Sequence, residues 1–137
     1  DQLVAHQQML QRLPTPLVFD HLGRLPLPQG TAHPAFALIR GLLDQGRAWV
    51  KLSGAYLDTR QSHGHGYADT DAVARAWVRA APERLVWGSD WPHTTETEHK
   101  PDDAELFDLL AHWSGDEKVR QRVLVDNPAA LYGFDSA

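Results

Sequence analysis

The stretch Leu85-Val86-Trp87-Gly88-Ser89-Asp90-Trp91-Pro92-His93 constrains this chain most. It predicts a short apolar strand that runs into a carboxylate, a proline-broken turn and an imidazole. Pro92 has no ladder donor and a fixed φ, so the strand cannot continue through it. Asp90 therefore falls at the C-terminal end of the strand. In a (β/α) fold that end opens onto the face where catalytic groups collect. Asp90 is thus read as a catalytic acid/base or a metal ligand. The plainer alternative is an aspartate that caps its own turn.

The rest of the chain supplies a setting for such a strand. Residues 1–12 predict a helix with Leu3 and Leu10 near one face, ended by Pro14 and Pro16. Leu17-Val18-Phe19 predicts a second short strand, with Asp20 and His21 as the first polar residues beyond it. Residues 35–45 predict a helix through Phe36, Ile39 and Leu43, with His33-Pro34 at its start and Gly46 at its end. A third strand is expected over 49–54. There Lys51 either meets a carboxylate or lies on the wet face of an edge strand. The loop over 54–67 holds Tyr56, Arg60, His63 and His65; the Gly-flanked histidines lack the fixed geometry a metal requires. Thr70-Asp71 offers an N-cap to a helix striped by Val73, Ala76, Trp77 and Ala80, which makes Trp77 a core residue. Asp102-Asp103 open a further helix with negative charge at its positive end. Another is expected over 117–125, and Asn127 is read as the N-cap of a last turn whose Leu131, Tyr132 and Phe134 pack the end down.

Strands alternating with helices predict an α/β fold with a parallel sheet. His21, Ser53 and Asp90 then lie at the same end of successive strands. Composition narrows the partners. The 137 residues suit one domain, 1–137. A net charge of -5 with no cluster of Lys or Arg argues against nucleic acid and against a membrane surface. The absence of cysteine excludes disulfides and thiolate metal sites. A small-molecule substrate remains as the expected partner.

The runs Val18-Phe19-Asp20-His21-Leu22-Gly23, Val50-Lys51-Leu52-Ser53-Gly54, 85–93 and Leu124-Val125-Asp126-Asn127-Pro128-Ala129-Ala130-Leu131-Tyr132-Gly133 together resemble the amidohydrolase-related TIM-barrel hydrolases. The likeness is greatest to their pyrone-dicarboxylate lactonase-like branch. The resemblance covers nearly the whole chain. It implies the last three strands of a (β/α)8 barrel, an incomplete barrel, since eight strands take about 250 residues. The family's first strand carries a His-x-His pair, which no residue before Leu17 provides. What it implies for the site is His21 on the sixth strand and Asp90 on the eighth as catalytic groups. His93 is implied as a substrate contact, with Ser53 and with Tyr56 or Arg60 from the loop. His21 and Asp90 would also be the ligands of a divalent metal, zinc, in the members that use one; the Trp-Pro-His run favours a metal-independent version. The implied activity is hydrolysis of a lactone with a carboxylated frame, in the cytoplasm, with Asp90 as general base. The competing readings are a decarboxylase or amide hydrolase on the same fold, and an inactive fragment or assembly module that associates with itself or with its missing half.

Overall fold

The first strand, β1 (Leu17–Phe19), is preceded by two short helices, α1 (Gln2–Ala5) and α2 (Gln7–Arg12). The computed structural model describes residues 2–61 and 66–134, so His63 and His65 lie outside the described residues. After β1 the chain runs through helix α3 (Pro34–Asp44), strand β2 (Ala48–Leu52), helix α4 (Ala55–Asp58), helix α5 (Asp71–Ala80) and strand β3 (Leu85–Trp87). It closes with helices α6 (Asp103–Ser114), α7 (Glu117–Gln121) and α8 (Asn127–Tyr132).

The three strands form one parallel sheet in the order β1-β2-β3. Phe19 pairs with Val50, and Val50 with Leu85. Paired residues in parallel register project to one face, and alternation sends their neighbours to the other. The face holding Phe19, Ala48, Val50, Leu52 and Leu85 belongs to the apolar core, where Ile39, Leu42, Trp77 and Leu110 are buried. The opposite face carries Val18, Trp49, Lys51 and Val86. Lys51 Nζ lies 2.6 Å from Asp20 Oδ1, and β2 is the central strand, so of the two readings the carboxylate partner is found and the edge strand is not. Both outer strands have one edge unpaired among the described residues.

Four expectations need correcting. The first helix is two: His6 takes φ -103° and ψ 15° and breaks it. Thr70 precedes α5 but makes no side-chain cap; its hydroxyl donates to Tyr67 O at 2.8 Å. Asn127 caps nothing, because helical backbone runs through Asp126 and Asn127. Its side-chain amide instead donates to Pro82 O at 2.8 Å and to Leu85 O at 2.6 Å, which ties the last helix to the entry of β3. Tyr132 and Phe134 do not pack the end down; both are exposed and lie against each other, ring centroids 5.9 Å apart.

Trp77 is core as its spacing predicts, fully buried and tilted against Phe36. Its indole Nε1 donates to Leu22 O at 3.0 Å, so the helix stripe also pins the turn that follows β1. Among the described residues no helix is long and apolar enough to cross a membrane.

Candidate active site

The site is built where the strands end. Beyond β1 the backbone turns through His21 (φ 52°) and Leu22 (φ 55°). Beyond β2 it turns at Gly54 (φ 59°), and beyond β3 at Asp90 (φ 66°) and His93 (φ 54°). Left-handed backbone at a histidine or aspartate is uncommon and gathers at functional sites. The turn after β3 is closed by His93 N–H donating to Asp90 O at 2.9 Å. Lys100 pins it from outside, its Nζ donating to Pro92 O at 2.7 Å and to His93 O at 2.8 Å.

His21 and Asp90 converge as the strand-end reading requires. Nδ1 of His21 lies 3.7 Å from Oδ2 of Asp90, and both side chains are partly exposed. Ser53 holds His21 from below. Its Oγ accepts from His21 N at 3.3 Å and sits 3.0 Å from His21 Nδ1. Ser53 is itself buried. Gly54 completes the seat: a Cβ there would stand 2.8 Å from His21 Nδ1.

Tyr56, the first large side chain of α4, is the hub of the other half. Its hydroxyl donates to Asp90 Oδ2 at 2.6 Å. Burial, then the hydrogen bond to Asp90 and the charges of Asp90 and Glu96, push its ionisation well above the ordinary tyrosine range. His93 Nδ1 lies 3.2 Å from the same hydroxyl, and the two rings meet edge to face at 5.3 Å. His93 Nε2 lies 3.0 Å from Asp103 Oδ1. His93 is only 2% exposed, with a protein partner at each ring nitrogen. Arg60 is not brought in: it is exposed, and its backbone N–H donates to Asp69 Oδ2 at 2.7 Å.

Sequence reasoning passed over Asp103, Lys100 and the Arg24–Asp58 pair. Asp103 had a sufficient helix-end explanation, and Lys100 acts through backbone carbonyls, which no side-chain pattern reveals. Arg24 Nε donates to Asp58 Oδ1 at 3.0 Å beside the turn after β1. Burial raises the Asp58 ionisation range, and Arg24 partly offsets that.

A metal would find two donors here, the free Nε2 of His21 and the free oxygen of Asp90. Among the described residues no group of three or more His, Asp or Glu side chains is placed to hold a metal ion. Catalytic zinc takes three protein ligands. The described residues therefore do not by themselves make a zinc site.

A parallel α/β sheet with an imidazole and a carboxylate meeting at its C-terminal rim is the arrangement of the (β/α) class, in which functional groups gather at strand ends. The chain belongs to the amidohydrolase family, whose model matches residues 1–134. It is 42% identical over 132 residues to a D-galactarolactone isomerase of Agrobacterium fabrum, covering 95% of this chain and 44% of the relative. It is also 42% identical over 122 residues to a 4-sulfomuconolactone hydrolase of Rhizobium radiobacter, covering 87% of this chain and 40% of the relative. To a 2-pyrone-4,6-dicarboxylate hydrolase of Comamonas testosteroni it is 35% identical over 127 residues, 88% of this chain and 42% of the relative. An apo crystal structure of an Agrobacterium tumefaciens protein superposes with a TM-score of 0.86 at 39% identity, over 98% of this chain and 48% of that one. The chain thus spans less than half the length of the curated relatives it matches. The expected membership, with lactone-hydrolysing relatives, is found.

Proposed function

We propose that these residues form the C-terminal part of a lactone-hydrolysing barrel, with Asp90 as general base and a small carboxylated lactone as substrate. The observation that carries this is the approach of His21 Nδ1 to Asp90 Oδ2 at 3.7 Å, from two strands that do not neighbour one another. Residues 1–137 are then one domain containing the last three of eight strands, and the free edges of β1 and β3 pair with the other five.

The chemistry follows from the donor set. Asp90 takes a proton from water as the water oxygen bonds to the lactone carbonyl carbon. The ring C–O bond then breaks, and Asp90 returns the proton to the leaving alkoxide. With the Ser53 hydroxyl donating to Nδ1, His21 presents Nε2–H as a donor to the developing oxyanion. Charge on the carbonyl oxygen is needed only in the transition state, so a donor seated in advance by Ser53 and Gly54 lowers the barrier.

The relative named an isomerase supports a second outcome on the same groups. A hydroxyl of the substrate replaces water as nucleophile, and the product is an isomeric lactone in place of an open acid. Product analysis separates the two.

The test is turnover of a lactone panel by the full-length polypeptide that carries these residues. Asp90→Asn is expected to lower kcat by about 10² to 10⁴-fold, the usual contribution of a positioned base. A change within about threefold overturns the assignment of the base. The isolated residues 1–137 are expected to be far less active and to associate; a monomeric chain of equal activity overturns the partial-barrel reading.

A further inference from the structure

One continuous set of contacts leaves the site and ends at a residue no part of the proposed chemistry uses. From Asp90 it passes to Tyr56 at 2.6 Å, to His93 at 3.2 Å and to Asp103 at 3.0 Å. Hydrogen counting fixes its direction. Tyr56 has one phenolic hydrogen, and the short contact gives it to Asp90, which as a carboxylate only accepts. The phenol oxygen and the Asp103 carboxylate are then both acceptors, and the His93 ring bridges them through Nδ1 and Nε2. A histidine with both nitrogens so engaged, and 2% exposed, has nothing to offer a substrate.

We propose that Asp103 is a positioning residue: through His93 and Tyr56 it decides which oxygen of the Asp90 carboxylate meets the reacting water. Among the described residues the one hydrogen bond to the Asp90 carboxylate comes from Tyr56 and meets Oδ2. The carboxylate is therefore clamped by one oxygen. The clamp is as rigid as its far end. Tyr56 is held at its hydroxyl by His93, and His93 is held at Nε2 by an aspartate rooted at the first residue of α6. Asp103 is not needed to cap that helix, because Asp102 Oδ1 already accepts from Ala104 N at 2.8 Å. Its own carboxylate is thus free for the histidine. The inference rests on Asp90 as the base but adds a residue on a different element, about half exposed and outside the strand-end rim.

The experiment is a mutant cycle on the full-length polypeptide, read by kcat and KM separately and by nitrogen NMR of the His93 ring. Asp103→Ala is expected to lower kcat about tenfold with KM changed less than about twofold, because a base misplaced by a fraction of an ångström loses orientation and leaves binding intact. Asp103→Asn, whose amide oxygen still accepts from Nε2–H, is expected to keep most of the rate. Tyr56→Phe severs the relay, so adding Asp103→Ala to it should cost nothing further. Equal losses in both backgrounds, or an unchanged kcat in Asp103→Ala, overturn the proposal. The NMR arm needs no substrate: Asp103→Ala should shift Nε2 and Tyr56→Phe should shift Nδ1, while unmoved resonances overturn the relay. If the unsubstituted protein turns over no lactone, the proposed reaction fails, and the relay is then decided by these shifts alone.

Discussion

Gly54→Ala tests the seat of His21 directly. Gly54 sits at φ 59°, where an L-residue pays about 1–2 kcal/mol. Alanine recovers about 0.4–1 kcal/mol by restricting the unfolded chain, so the backbone change alone is modest. The side chain adds the larger effect. The new Cβ would lie 2.8 Å from both His21 Nδ1 and Leu57 Cδ1, and 3.0 Å from His21 Cγ. Ordinary van der Waals contact begins near 3.4 Å, so the imidazole must retreat by at least ~0.6 Å. That retreat breaks the 3.0 Å contact with Ser53, a part-buried hydrogen bond contributing about 0.5–1.5 kcal/mol. The expected loss of stability is about 1–2.5 kcal/mol by urea unfolding. The expected loss of kcat is on the order of 10-fold to 100-fold, the scale of a misplaced catalytic group. Two control substitutions separate position from bulk: Gly66→Ala and Gly133→Ala share the positive φ but meet nothing within 4 Å. They should cost stability alone. If Gly54→Ala behaves like these two, His21 does not depend on the seat and the geometric argument fails.

Three further outcomes follow from the same packing. Asn127→Leu leaves the carbonyls of Pro82 and Leu85 without their donor, at about 2–4 kcal/mol by thermal or urea unfolding; a loss below about 1 kcal/mol would mean water reaches both. Trp77→Phe orphans Leu22 O beside His21 and opens space in the core. It should cost about 2–4 kcal/mol and lower kcat as well, and an unaffected kcat would uncouple α5 from the site. Tyr56 ionises above its unfolded range, so its share of stability is whole below about pH 10 and fades as pH climbs past that value. Tyr56→Phe should flatten the alkaline fall of the urea midpoint, and an equally steep fall would contradict the buried contact with Asp90.

The strand ends were legible because local chemistry declares them. Pro92 stops β3, the apolar triplet Leu17-Val18-Phe19 stops at Asp20, and the helix stripes require the strands between them to be parallel. His21 and Asp90 could be placed at one rim from that alone. The partners of those groups could not. Ser53 was visible as a strand-end polar residue, but its work, holding an imidazole from the neighbouring strand, depends on register. The family resemblance implies His93 as a substrate contact. Its burial comes from the turn folding back under Tyr56, which is thirty-odd residues away. Asn127 shows the same limit: Asp-Asn-Pro is a good cap by composition, and only the tertiary position of Pro82 and Leu85 gives the amide two better acceptors.

The three turns also explain why glycine stands at one of them and not at the others. Shortly after each strand the backbone enters the left-handed region, at His21, Gly54 and Asp90. The same reversal lifts each chain off the sheet and leaves the side chain of the reversing residue at the rim. At the outer two strands that side chain performs the proposed chemistry, and the structure carries a strain of about 1–2 kcal/mol at each to keep it. At the central strand the space is already filled by His21 arriving from β1, and a Cβ at 54 would strike its ring. At these turns the left-handed residues at the outer strands include the two working ones, and glycine stands where a second side chain would collide with the first. A rim made of three such turns therefore has one silent position between two working ones.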